Sequence, residues 1–503
     1  MSEAPLFTDL IGAAIERHPD KPAVISNAGM FNFVDLERLR NRLLKALSAE
    51  GFSPGDRVAL AAGTKVEFIA NSIALMANGA VVAQVRPAPE EEMLSWLQRI
   101  EPRFLVHDGH ALPTAISAGP WKAISTEDLE PVFYNEPGPS IDAADMAMIM
   151  PTSGTQGPPK GVVLTHGNLA AVLHQVNDFM GVDGDIVEYL ASPPGHAFGF
   201  VRVRCVLGAG GTLVVDEGPF NPLRLLTALA AHDCNSIGSV ASAFELLMDK
   251  MTSRFTAHAS RMRWMDMGSV PLRPATADAL CDAFPDARVV MEYGMTEAPH
   301  TTLVDFAGET GRGDTVGRAA PCNGIRVVGD DGAPLADNEA GHVEVRGPQV
   351  AAGYWRDDAA WQARVQDGWF RSDDMGRLDG DGYLHFVGRA DDIINCGGEK
   401  VSPVAIEDRI QPLLDGIEMC VCGAEDSRGL LGEVPVLCFE GQWPDGFEWN
   451  QLRVAFSRAL PAAHVPRHAV VLDSFPRTSN GKLRRRTLRD QVEAGGVERV
   501  VAK

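Results

Sequence analysis

A chain of 503 residues exceeds the roughly 250 to 300 at which a single hydrophobic core stops growing, so two or three domains are expected. Its apolar share of 45% and charged share of 22% are those of an ordinary globular protein and exclude a disordered or fibrous one. The formal net charge of −22 excludes a broad duplex-binding surface; no nucleic-acid partner is expected, and anionic ligands must be met by local basic patches.

Along the chain, Leu36, Leu39, Leu43, Leu44 and Leu47 recur at helical spacing after Asp35, the expected N-cap, and Asp56 to Leu60 then predicts a strand. Val66 to Asn78 predicts a helix leading into a strand over 80–85, and Met93 to Ile100 a helix leading into Phe104 to Val106. Such alternation predicts parallel sheets with helices on their faces. No apolar run reaches the roughly 18 residues of a membrane-crossing helix, since Ala74 to Val85 is broken by Asn78 and Gly79. The first residues carry no basic-then-apolar leader, so a cytoplasmic location is the expectation. Farther on, Gly341 to Gly347 and Gly382 to Val387 alternate like short strands and predict a small β subdomain. After Arg389-Ala390-Asp391-Asp392 come Gly397-Gly398, a helix from about Ser402, and strand pieces around Val421, Val436 and Val470. This tail has the size of a separate mobile domain. The eight cysteines form no C-x-x-C pair and are expected to be buried thiols.

Four segments carry chemistry. Thr152-Ser153-Gly154-Thr155-Gln156-Gly157-Pro158-Pro159-Lys160-Gly161 gathers hydroxyls, glycine amides and one lysine between two apolar stretches. Amides and hydroxyls donate to phosphate oxygens and Lys160 adds a point charge, although the order is not that of a Walker A loop and a plain turn fits the same composition. Tyr293-Gly294-Met295-Thr296-Glu297 combines an aromatic face for a base, a hydroxyl for a phosphate and a carboxylate for Mg²⁺, or is a polar turn at a strand end. Asp373-Asp374, with Arg389 downstream, suits the paired hydroxyls of a ribose, or again a polar turn. Pro476-Arg477-Thr478-Ser479-Asn480-Gly481-Lys482 places a lysine on a tight turn, followed by Arg485 and Arg489, which are expected on a solvated basic helix.

In order, TSGTQGPPKG, PPGHAFG, YGMTE, GWFRSDD, GRADDIINCGGEKVSP and PRTSNGK resemble the successive signatures of the adenylate-forming, AMP-binding superfamily in its acyl-CoA synthetase branch, from about Leu10 to Asp490. The resemblance implies an α/β fold: a large N-terminal domain of helix-flanked sheets with a small β subdomain, residues 1–388, and a smaller mobile α+β C-terminal domain, residues 389–503. It implies an acid–thiol ligase that joins a carboxylic acid to AMP from MgATP and then passes the acyl group to CoA. Lys482 is then the lysine bridging carboxylate and α-phosphate. Thr152, Ser153, Gly154, Thr155, Gln156, Gly157 and Lys160 surround the β- and γ-phosphates, and Tyr293 and Gly294 lie beside adenine. Thr296 contacts the α-phosphate, Glu297 is the Mg²⁺ residue, and Asp374 with Arg389 holds the ribose. Asp391 is the hinge, and Gly397 and Gly398 line the pantetheine path. Gln156, in place of Thr or Ser, and Asp373, in place of Gly, depart from the usual pattern.

The same resemblance puts the acid pocket around His196, Ser269 and the loop after Glu297, where Ala197 replaces the aspartate that meets an α-ammonium group and disfavours an amino acid. Within the apolar stretch GFVRVRCVLG, Arg202 and Arg204 either pair with a second carboxylate of a small diacid, with His300 as a further donor, or pair with a structural Asp or Glu. His196 itself either gates the carboxylate or is a satisfied core histidine. GGEKVSP and LGEVP favour CoA as acceptor; the phosphopantetheine arm of an acyl carrier protein is the alternative.

Overall fold

The computed structural model describes residues 4–109, 112–130, 132, 138–152, 160–268, 270–414, 417–426, 428–477, 483–494 and 498–500. The chain divides into two compact units: one of residues 1–325, 345–370 and 381–384, the other of residues 326–344, 371–380 and 385–503.

Two large sheets organise the first unit. The nine-stranded sheet runs in the order Arg318–Ala319, Ala298–Asp305, Arg288–Met295, Trp264–Gly268, Ser236–Val240, Val187–Leu190, Thr212–Val215, Pro22–Ile25 and Met30–Asn32. Its interior pairs are parallel and its outer pairs antiparallel. The seven-stranded sheet, Gly353–Tyr354, Gly161–Thr165, Met146–Pro151, Val81–Gln84, Arg57–Ala61, Phe104–His107 and Lys122–Ser125, repeats that plan with an antiparallel pair of joints at one end. Parallel strands need crossovers, and the helices Lys65–Ala77 and Glu90–Ile100 supply them where the apolar periodicity predicts. Burial on both faces explains the near-continuous apolar strands: every residue of Trp264–Gly268 and of Ala298–Asp305 is buried.

The first leucine-rich helix, Phe33–Ala49, starts two residues before the expected cap. Asp35 sits inside its first turn and accepts a hydrogen bond from the Asn32 amide at 3.1 Å, the reciprocal half of a capping box rather than the cap itself. Leu36, Leu39, Leu43 and Leu47 are buried as the spacing requires, each worth about 1.5–3 kcal/mol against exposure.

In the second unit, the strands Met419–Glu425, Glu433–Glu440, His468–Leu472 and Glu498–Val500 form one sheet, and Ile394–Cys396 pairs with Glu399–Val401 in a hairpin. One apolar cluster packs Ile406, Ile410, Leu437, Phe439, Trp449 and Phe456; another sets Cys420, Cys422 and Cys438 against Leu488 and Val492. The strands expected near 341–347 and 382–387 are present as Gly341–Arg346 and Leu384–Arg389. Six cysteines are buried, whereas Cys281 is half-buried and Cys322 is exposed in a turn at φ +68°. Arg485 and Arg489 also depart from expectation. Arg485 makes a bidentate pair with Glu407, at 2.6 and 2.7 Å, and donates to the Val421 carbonyl, while Arg489 pairs with Glu433 at 2.5 Å. Carboxylates on neighbouring elements, invisible as partners in a linear reading, turn this basic stretch into an anchor for the helix Arg485–Glu493.

Candidate active site

In the first unit, the strands Met146–Pro151 and Gly161–Thr165 bring Thr152 and Lys160 together. The Thr152 amide donates to the Lys160 carbonyl at 2.9 Å, and the Lys160 amide to Thr152 Oγ1 at 3.2 Å. Ser153, Gly154, Thr155, Gln156 and Gly157, between them, lie outside the described residues, as do Ser269 and Lys482. The Lys160 ammonium stands 4.8 Å above the ring of Tyr354, and the Tyr354 hydroxyl donates to Glu297 Oε1 at 2.7 Å. A cation, an aromatic ring and a carboxylate thus form one connected line. Tyr354 escaped the sequence reading because one tyrosine in an apolar-looking AAGYW run carries no chemical pattern. Only its pairing opposite Val162 brings it to Lys160.

Thr296 and Glu297 form the two-residue link between the strands Arg288–Met295 and Ala298–Asp305. The pairing slips between Tyr293 and Met295, and Gly294 occupies the irregularity. A Cβ there would lie 2.5 Å from the His300 amide nitrogen, so only glycine lets the two strands approach. Tyr293 is buried and Gly294 exposed.

His196 caps the start of the helix Ala197–Gly208 and is half-buried. From Gly199 to Gly208 that helix is buried on every face, Arg202 and Arg204 included. For Arg202, the structural alternative holds and the acid-pocket expectation gives way. Its Nε and Nη2 donate to Glu188 at 3.0 and 2.5 Å, and its Nη1 lies 3.2 Å from Asp266, all three side chains being fully buried. Trp264 Nε1 adds a bond to Glu188 at 3.2 Å. Burial pushes the Asp266 carboxyl up to about 6, with Glu188 acting in the same sense and Arg202 against it. The signal for this cluster was one acidic residue in each of two apolar strands, Glu188 and Asp266.

His300 sits at φ +49° inside its strand, 1% exposed, with its ring stacked on Phe198 at 5.8 Å. Its Nδ1 is 3.6 Å from Glu292, too long for a hydrogen bond, and neither ring nitrogen has a hydrogen-bond partner among the described residues. Burial, then Arg202 and Arg204, holds it well below the ordinary histidine range, so it is neutral near pH 7.

In the second unit, Arg389 gathers both acids of the RSDD segment: Nη2 lies 3.1 Å from Asp373 and Nε 3.5 Å from Asp374. Burial opposes the Arg389 charge, but Asp374 and Asp373 outweigh it and raise its pKa. Asp374 is buried, with its amide held by Ser372 Oγ at 3.1 Å. Asp373, the departure from pattern, therefore has a partner rather than standing as an uncompensated charge. Asp391 lies in the short 3₁₀ turn Ala390–Asp392. Gly397 and Gly398 form a two-residue hairpin turn at φ +62° and +89°, which residues with a Cβ adopt only under strain. Around residues 478–482, Arg477 bridges to Leu483 and the Arg484 amide donates to the Pro476 carbonyl at 2.7 Å, so the flanks of Lys482 are pinned together.

Comparison with known proteins shows the family and the fold. The model of the AMP-binding enzyme family matches residues 12–355. The chain is 30% identical to a feruloyl-CoA synthase of Amycolatopsis over 92% of its length and 94% of the relative's. It is 27% identical to an oxalate–CoA ligase of Arabidopsis thaliana over 95% and 97%. Among solved structures, ATP-bound MatB from Rhodopseudomonas palustris superposes with a TM-score of 0.85 at 26% identity, covering 97% of this chain and 99% of that one.

Proposed function

The chain belongs to the AMP-binding enzyme family and is an ATP-dependent carboxylic acid–CoA ligase, and we propose that the groups described above divide its two half-reactions between them. In the first, a carboxylate oxygen attacks the α-phosphorus of ATP and pyrophosphate leaves. In the second, the CoA sulfur attacks the acyl carbon, the thiol proton passes to solvent, and AMP leaves.

The observation that carries this division is the Lys160–Tyr354–Glu297 line. Lys160 and Thr152, with residues 153–157, take the β- and γ-phosphates; Tyr293 and Gly294 lie beside the base, and Thr296 donates to the α-phosphate. Glu297 would hold a hard divalent ion such as the Mg²⁺ of MgATP, which would offset triphosphate charge there. The Tyr354 hydroxyl orients that carboxylate. Tyr354→Phe is therefore expected to lower kcat/KM for MgATP about tenfold, the value of one hydrogen bond to a charged group. A change below twofold in a steady-state titration of MgATP would remove Tyr354 from the site.

Asp374, positioned through Arg389, accepts from the ribose hydroxyls. Lys482 bridges the acid carboxylate and the α-phosphate. His196 with Ser269 borders the reacting acid. For the second half-reaction, the domain of residues 389–503 turns about Asp391, withdraws Lys482 and brings Gly397 and Gly398 to the pantetheine arm of CoA. A cytoplasmic location belongs to the same reading, since ATP and CoA are both supplied there.

The test is pyrophosphate release from MgATP across dicarboxylates, benzoates, cinnamates and C4 to C16 fatty acids, each with and without CoA. One acid class is expected to give multiple turnovers only with CoA. Turnover indifferent to CoA would instead point to the phosphopantetheine arm of an acyl carrier protein as acceptor.

A further inference from the structure

We propose that Arg86 is a substrate-binding residue of this ligase: its guanidinium seats the attacking carboxylate of the acid, on the opposite flank of Thr152 from Lys160. The proposal rests on the ligase reading above and adds to it a fixed group for the nucleophile.

Sheet order places the two cations. In the seven-stranded sheet, Met146–Pro151 lies between Gly161–Thr165 on one side and Val81–Gln84 on the other, and its exit leads into Thr152. Lys160 opens onto the first neighbour, opposite Thr152, and Tyr354 and Glu297 stand with it. The second neighbour runs parallel, pairing Val82 with Met148 and Ala83 with Ile149. The Val85 amide still donates to the Leu60 carbonyl at 2.9 Å, so the strand direction holds past its end. Counting on equally from the Ala83–Ile149 partners reaches Arg86 on one strand and Thr152 on the other. Arg86 and Lys160 therefore flank Thr152 from opposite sides, at the carboxyl end of parallel strands, where such sheets take ligands.

Arg86 is a cation without a counter-charge. Its Nη2 donates to the Gly195 carbonyl at 3.0 Å and its Nε to Gln84 Oε1 at 3.4 Å, both neutral acceptors, and no carboxylate among the described residues pairs with it. These bonds use two of the five guanidinium N–H groups. Nη1 has no hydrogen-bond partner among the described residues and is not sealed from solvent; the residue is half-buried and Pro87 beside it is exposed. An anion can thus reach it without entering a closed core. Burial pulls its pKa down to about 10, which leaves it charged at neutral pH. The Gly195 contact also sets its direction, because Gly195 precedes His196, which borders the reacting acid in the reading above. Gln84 Nε2 occupies the space that a Cβ at Gly195 would take, so Gln84, Arg86 and the turn before His196 pack as one corner.

Displacement at the α-phosphorus runs in line: the carboxylate oxygen enters on one side and pyrophosphate leaves on the other. A cation on each flank fits that axis. Lys160 stands on the side of the leaving phosphates, and Arg86, beside His196, on the side of the entering acid. A planar guanidinium matches the two oxygens of a carboxylate. Lys482 arrives with the C-terminal domain, whereas Arg86 offers the carboxylate a seat before that domain closes.

The experiment measures steady-state pyrophosphate release by wild type, Arg86→Gln and Arg86→Lys, with the acid of highest turnover in the panel above. Thermal shift without nucleotide compares benzoate, cinnamate, octanoate and malonate with the matching uncharged amides. In Arg86→Gln, KM for the acid is expected to rise about tenfold or more, the value of hydrogen bonds to a charged group, while KM for MgATP stays within about twofold. Arg86→Lys keeps the charge without the fork and should show a smaller rise, about threefold or more, with the same split; it decides alone should Arg86→Gln fail to fold. In wild type, at least one acid should stabilise the ligand-free enzyme more than its amide does, and Arg86→Gln should erase that difference. A rise in KM for MgATP instead would put a phosphate on Arg86, and a lower kcat with both KM values unmoved would make it a brace for the turn before His196. Either result overturns the proposal, as does an unchanged KM for the acid. Pyrophosphate release from no acid at all would overturn the ligase reading instead, and the thermal difference between acid and amide, with its loss in the variant, then judges Arg86 separately.

Discussion

Replacing Lys482 with alanine is expected to slow pyrophosphate release by about a thousandfold or more, the scale of losing a preorganised charge from a developing anionic transition state. Negative charge builds on phosphorus oxygens while the attacking group is itself a carboxylate, so a positive group between them acts on the transition state far more than on the bound substrates. In the proposed division of the half-reactions, Lys482 is withdrawn before acyl-CoA forms from a supplied acyl-adenylate. That step should continue at a rate within about tenfold of wild type. Rapid-quench measurement of the two half-reactions separates them, and equal losses in both would contradict an enzyme that swaps its C-terminal groups between steps. The pinned flanks of residues 478–482 and the anchoring of Arg485 and Arg489 make a fixed delivery of this lysine physically reasonable.

The second large effect concerns stability. Arg202→Met is expected to cost about 3–5 kcal/mol, because it leaves Glu188 and Asp266 buried without their counter-charge. Denaturant melts of variant and wild type measure it; a cost below about 1 kcal/mol would mean that the carboxylates find other partners. Changing Glu188 and Asp266 to apolar residues together with Arg202 should recover most of the loss, since a buried ionic cluster breaks even with well-packed apolar groups. Protonation gives a second handle. The Asp266 pKa is raised to about 6 in the folded protein, above its unfolded value of about 3.9. Its contribution to stability is fully present below that unfolded value and is lost as the pH rises through about 6.

Much of this was legible in order of residues, and the rest was not, for identifiable reasons. Helix and strand alternation in the first hundred residues predicts the parallel sheet, because burial on one stripe or two faces leaves a periodic trace. The segments proposed to hold the nucleotide are contiguous, so hydroxyls, glycines and charges that would act together are written together. Partners on different strands leave no such trace. Arg202 finds Glu188 and Asp266, Arg485 finds Glu407, and Glu297 finds Tyr354 across chain separations that no local pattern bridges. Arg202 and Arg204 are indistinguishable in GFVRVRCVLG, and only packing shows that one is neutralised by Glu188 and Asp266 while no carboxylate among the described residues pairs with the other.

The most direct test of the central claim is stoichiometry in one vessel: AMP formed, pyrophosphate formed and free CoA thiol lost, followed with the preferred acid and limiting ATP. The account predicts equal amounts of all three, with a thioester of the acid as the product. ADP and orthophosphate in place of AMP and pyrophosphate, or AMP accumulating with the thiol untouched, would contradict it.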